Sequence, residues 1–155
     1  MIRLWIAAMA CAATLSAVAQ PAPPDTAWRG YDEAADARAD IDKARAQATA
    51  GGRRVLVVFG ANWCGDCRVL DISMKQGKLK TVIDEKFVVV KVDVGRFDRN
   101  VDIAQRYGVP LKNGIPAVAV IASDGSPTFV TKGGELADAR TMGDDALVRF
   151  FDRRL

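Results

Sequence analysis

No histidine occurs anywhere in the 155 residues. Its absence removes every catalytic dyad or triad built on imidazole and every metal site that needs a histidine ligand. Cysteine is scarce, with three residues at positions 11, 64 and 67. No basic block stands out either. Lys and Arg number 22 against 19 Asp and Glu, a formal charge of +3, so nothing in the charge pattern supports nucleic acid or a membrane surface as a partner. No internal repeat, low-complexity segment or recognisable dimerisation segment appears, and the last of these absences leans towards a monomer. What is present is ordinary globular composition, half apolar and a quarter charged. The length suits one domain with a proper core and is too short for two.

The start, MIRLWIAAMACAATLSAVAQ, has the parts of a secretory signal peptide over residues 1–19. Arg3 is its positive end, Leu4 to about Ala13 its apolar core, and Ala17-Val18-Ala19 its small-residue cleavage site. The apolar run is too short and too alanine-rich for a convincing membrane span. Cleavage after Ala19 removes Arg3 and Cys11, leaving 21 basic against 19 acidic residues and only Cys64 and Cys67. Two other readings stand beside it: Cys11 as the lipid-modified cysteine of a bacterial lipoprotein, and an anchor that is never cut. Export matters because an oxidising compartment turns a lone cysteine pair into a disulfide. Reductive work there requires a source of electrons.

Residues 20–30, containing Pro21-Ala22-Pro23-Pro24-Asp25, read as a linker, and 31–155 as the domain. Tyr31 to about Ala50 is alanine-rich with a sparse apolar face and reads as a helix ended by Gly51-Gly52. Val55 to Phe59 is an unbroken apolar run, expected as a strand buried on both faces. A helix follows from Arg68 to about Gln76, then a shorter one to Glu85 or Lys86. Phe87 to Val94 is the next strand and Arg99 to Tyr107 the next helix. This alternation implies parallel strands joined by right-handed crossovers. Ala117–Ala122 and Pro127–Thr131 read as a hairpin around Asp124-Gly125, with Pro127 suited to an edge strand. Thr141-x-x-Asp144 looks like a capping box before a last helix, Met142 to about Arg153.

Between the first strand and its helix lies Ala61-Asn62-Trp63-Cys64-Gly65-Asp66-Cys67. A cysteine at a helix start meets unpaired N–H groups and a partial positive charge, which stabilise the thiolate, its reactive form. Two cysteines three apart on one turn can also close a small, easily opened disulfide. The same spacing serves zinc sites, but no further cysteine and no histidine remains to complete one. An inert disulfide is the other alternative.

Trp63-Cys64-Gly65-Asp66-Cys67 after a buried strand, with Gly114-Ile115-Pro116 downstream, resembles the thioredoxin superfamily over roughly Arg53 to Leu155. The resemblance implies a thioredoxin-like three-layer α/β sandwich, a central mixed sheet with helices on both faces, here with an extra N-terminal helix. It implies Cys64 as the more exposed, attacking cysteine and Cys67 as the buried, resolving one. Pro116 then matches the family's cis-proline, which frees the backbone of Ile115 to pair with an extended substrate; an ordinary trans-proline is the alternative. Trp63 becomes part of a substrate platform, or else core. The family's copper-delivering relatives pair their cysteines with a histidine that is absent here.

Two departures limit the resemblance. Val58 stands where thioredoxins have a buried aspartate that assists proton transfer, which leaves Lys91, matching the family's strand lysine, without its acidic partner. The Val109–Asn113 loop is a few residues longer and lies beside Pro116, where it can shape partner choice. Gly65 and Asp66 lie between the cysteines. The charge of Asp66 should oppose thiolate formation at Cys64 and make the pair more reducing, unless Asp66 is simply a solvated helix-start residue. The reading is therefore an exported thiol–disulfide oxidoreductase acting on proteins, with reduction favoured, no dissociable cofactor and a membrane thiol-reducing donor. The alternatives are a peptide-binding or chaperone-like module without turnover, and a dedicated electron relay in cytochrome c maturation.

Overall fold

The computed structural model describes residues 28–153, so the expected leader over 1–19 and most of the expected linker over 20–30 lie outside the described residues. Four strands and five helices follow in the order α1 (Ala37–Ala50), β1 (Arg54–Gly60), α2 (Gly65–Ser73), α3 (Gly77–Lys86), β2 (Phe87–Asp93), α4 (Val101–Tyr107), β3 (Ala117–Ile121), β4 (Pro127–Val130) and α5 (Asp144–Arg153), with a 3-10 turn at Leu111–Asn113. The strands form one mixed sheet in the order β2-β1-β3-β4.

The central strand explains the layers. Every residue from Val55 to Phe59 is fully buried. Successive side chains point to opposite faces of a strand, so Val55, Val57 and Phe59 pack with Ile41, Ala44 and Ala48 of α1 and Ile103 and Ala104 of α4. Leu56 and Val58 pack on the other face with Leu79 and Ile83 of α3 and Leu147, Phe150 and Phe151 of α5. One strand thus feeds two cores. The result is the expected three-layer sandwich.

Several expected boundaries shift, each for a local reason. The first helix starts at Ala37 rather than Tyr31, because Asp36 takes an extended conformation and its carboxylate accepts from the N–H groups of Arg38 and Ala39. Asp32 closes its own turn on the Ala34 N–H. Tyr31 is thereby freed from the helix and packs into the core. α2 stops at Ser73. The parallel pairing that the strand–helix alternation implied holds for β1 and β2, and the rest of the mixed sheet is antiparallel, as the expected hairpin required. β3 runs antiparallel to β1, and β4 antiparallel to β3. The capping box does not form: the Thr141 hydroxyl donates back to Asp138, and the Gly143 carbonyl accepts from the N–H groups of Ala146 and Leu147 in the first turn of α5. Pro127 sits on the outer strand beside a register irregularity at Val120/Ile121, where its missing N–H is tolerated. Among the described residues, no helix is long and apolar enough to cross a membrane.

Candidate active site

Where β1 ends, Gly60 is followed by the three-residue loop Ala61-Asn62-Trp63, and α2 begins with Cys64 as its N-cap. The Cys67 N–H points at the Cys64 sulfur, 3.1 Å away. A sulfur in this position occupies the place of a capping oxygen, where helix N–H groups favour negative charge. Cys64 and Cys67 are joined as a disulfide. Cys64 is 6% exposed and Cys67 only 1%, so an incoming partner meets Cys64 first.

The Ile115–Pro116 bond is cis. The Ile115 carbonyl oxygen lies 3.6 Å from the Cys64 sulfur, so the two sequence motifs, far apart in the chain, meet at one point. Trp63 is 50% exposed and belongs to the surface rather than the core. Its indole N–H donates to the Gly95 carbonyl at 2.7 Å, its ring meets Phe97 edge to face, and the Arg96 guanidinium lies against it.

Asp66 departs from one of its two readings. It is buried, not solvated. The Arg140 N–H donates to its Oδ1 at 2.9 Å and the Arg140 Nε lies 3.2 Å from its Oδ2. The same guanidinium covers Gly65, so a side chain there would press on Arg140. The Asp66 charge is therefore balanced locally by a residue 74 positions away in the chain. Truncating Arg140 to alanine is expected to expose the reduced Cys64 to that charge. Its alkylation by iodoacetamide at neutral pH should slow by about two- to fivefold, the range of a single charge at a helix N-terminus.

Val58 carries no acid, and the carboxylate of this layer comes from α2 instead. Lys91 does have an acidic partner: its ammonium lies 3.0 Å from Oδ1 of Asp71, four residues after Cys67 on α2. Oδ2 of Asp71 takes Lys75 at 2.7 Å and the indole N–H of Trp28 at 3.2 Å. Burial pushes the Asp71 carboxyl upward, but these two lysines outweigh it and hold the group below its ordinary range. The i, i+4 spacing of Cys67 and Asp71 is the signal that could have found it, since it places both on one helix face. Tyr31 completes this layer. Its ring meets Trp28 edge to face and carries Lys91 against it. Burial first, then the charges of Asp71 and Asp93, push its phenol far above the usual tyrosine range, so it stays protonated. Gly60 has no room for a side chain: a Cβ there would collide with the Tyr31 phenol and stand 2.9 Å from the Cys67 sulfur.

Among the described residues, no group of three His, Cys, Asp or Glu side chains is placed to hold a metal ion. The chemistry that the arrangement offers is exchange at sulfur.

Comparison with known proteins agrees. A family model described as thioredoxin-like matches residues 36–123. A disulphide isomerase from Xylella fastidiosa Temecula1 is 50% identical, with a TM-score of 0.77 over 81% of this chain and 95% of that one. The oxidised C-terminal domain of DsbD from Neisseria meningitidis is 22% identical, with a TM-score of 0.53 over 76% of this chain and 92% of that one, and shares the fold. The chain belongs to the thioredoxin-like family, and the Cys64–Cys67 pair marks it as a thiol–disulfide oxidoreductase in the general sense.

Proposed function

We propose that the protein reduces disulfides in exported protein substrates, with Cys64 as nucleophile and Cys67 as resolving thiol. The observation that carries this reading is the place of the Cys64 sulfur, capping α2 and 3.6 Å from the carbonyl of the cis-proline loop. An extended substrate pairing with the Ile115 backbone brings its disulfide to that sulfur. The Cys64 thiolate attacks one substrate sulfur, forming a mixed disulfide and releasing the other as thiolate. The Cys67 thiolate then attacks Cys64, which frees the second substrate thiol and leaves the protein oxidised by two electrons. A membrane dithiol donor returns those electrons. Trp63 and Pro116 form the platform, and Asp66, tempered by Arg140, biases the pair towards reduction.

A second reading, disulfide isomerisation, is favoured by the 50% identical relative named for that activity. It begins with the same attack by Cys64 and differs only in returning the mixed disulfide to the substrate.

The deciding measurement is the equilibrium potential of the Cys64–Cys67 pair in defined thiol buffers, read by alkylation of free thiols. A value near the roughly −270 mV of thioredoxin is expected. A value near the roughly −120 mV of strong periplasmic oxidants would overturn the reductive direction. Incubation with a scrambled multi-disulfide protein then separates the two readings, since only isomerisation restores native pairing without net loss of disulfides.

A further inference from the structure

Beside the cis-proline loop runs a groove of about 560 Å³, lined by Phe97, Val101, Val109, Pro110 and Leu111 together with Lys112 and Gly114. Phe97 is the unusual member. It is 44% exposed and holds a positive φ of 66°, a conformation that bulky side chains rarely adopt. Its N–H and that of Asp98 both bond the Val94 carbonyl, which fixes the turn and presents the ring between Trp63 and the groove. Backbone strain that displays an apolar ring to solvent is a feature of binding surfaces more than of cores.

Charge completes the picture. Arg96 lies against the Trp63 ring, which itself packs on the groove residue Phe97, and Lys112 lines the groove. Among the described residues, neither has a carboxylate within ion-pair distance. The neighbouring acids are already engaged, Asp98 with the Arg96 N–H and Asp102 with Arg38.

We propose that this groove selects the polypeptide partner, accepting an extended segment that carries an apolar side chain flanked by an acidic one, within two or three residues of the reacting cysteine. The spacing follows from the chain: Gly114 precedes Ile115, whose carbonyl is 3.6 Å from the Cys64 sulfur, and each extended residue advances about 3.3 Å. The apolar side chain fills the groove beside Phe97, and the acidic one meets Lys112 or Arg96. This specificity rests on the exchange reading for its biological use, but the recognition itself can be measured without any turnover.

The test is a titration of the oxidised protein, followed by tryptophan fluorescence, with short peptides in which serine replaces the cysteine. A Ser-Leu-Glu peptide should bind about five- to tenfold more tightly than Ser-Leu-Lys at low ionic strength, because one exposed attraction is exchanged for a repulsion of similar size, and the difference should shrink with salt. Ser-Ala-Glu should bind about tenfold more weakly than Ser-Leu-Glu through lost apolar burial. Combining Arg96→Glu with Lys112→Glu should invert the Glu/Lys preference, and Phe97→Gly, which suits the positive φ, should erase the Leu/Ala preference. Equal affinities for all three peptides, or a charge preference that survives the double reversal, overturns the proposal. Reduction of hydroxyethyl disulfide by the wild-type dithiol is scored separately. Its failure would count against the exchange reading and leave the binding result to stand on its own.

Discussion

Replacement of Cys67 by serine is expected to halt the reaction halfway, with one substrate molecule held on each protein through Cys64. The geometry makes this a strong expectation. Cys64 is the sulfur an incoming partner reaches, and Cys67 is buried directly behind it, with its N–H turned to the Cys64 sulfur. Without the resolving thiol, the mixed disulfide has no intramolecular exit. Non-reducing electrophoresis of the variant, mixed in reduced form with a disulfide-bonded protein, should show a one-to-one adduct that added dithiol dissolves. Cys64→Ser should form no adduct and should drop the reduction rate to that of the buffer thiol alone. An adduct formed through Cys67 in the Cys64→Ser protein would reverse the assigned roles. Full activity in Cys64→Ser would remove exchange chemistry altogether and favour a groove that binds without turnover.

Lys91→Met is expected to cost about 3 kcal/mol of folding stability, the scale of breaking a buried ion pair on one side. The larger cost falls on removing the lysine, because the Asp71 side chain is the buried member at 4% exposure, while that of Lys91 keeps 26%. Lys75 stays on Oδ2 at 2.7 Å but is 64% exposed, so it offsets only part of the loss and the cost sits at the lower end of the buried-pair scale. Urea unfolding measures the loss, and Asp71→Leu combined with Lys91→Met should recover most of it, since an apolar pair leaves no charge stranded. If the double variant is as unstable as the single one, the pair is not the source of the loss. The pH dependence has a defined sign. The Asp71 carboxyl is held below its ordinary range of about 3.8 in the folded protein. Its contribution is complete above that value and is lost as pH falls through the lower folded value. Asp93, raised mainly by burial, works oppositely and gives up stability as pH rises through its folded value. In Lys91→Met, two of the influences that hold Asp71 down disappear, so the acid-side loss specific to Asp71 should flatten.

The sequence made some of this legible and hid the rest for physical reasons. Val55 to Phe59 announces a buried strand because an apolar run that short and β-branched has few other uses. The cysteine pair and Gly114-Ile115-Pro116 identify themselves by residue type and spacing. Tyr31 misled because alanine-rich composition favours helix, whereas Asp32 and Asp36 offer the backbone local bonds that compete with it. In the sequence Lys91 has no visible partner, because the strand position opposite it is Val58 and the acid that pairs with it lies one helical turn beyond Cys67. The Arg140–Asp66 pairing carries no local signal at all, since only the completed fold brings the segment before α5 over the head of α2.

At the junction of strand and loop, Gly60 lets the Tyr31 ring and the Cys67 sulfur share a space that belongs to neither alone. Positions 31 and 60 are therefore a single unit of sequence variation. A library that samples each separately would discard alanine at 60 as ruinous and a smaller residue at 31 as a loss of packing. Sampled together, the change at 31 relieves the clash with the ring and leaves only the 2.9 Å approach to the Cys67 sulfur to be absorbed, so the pair reaches the redox centre without replacing either cysteine.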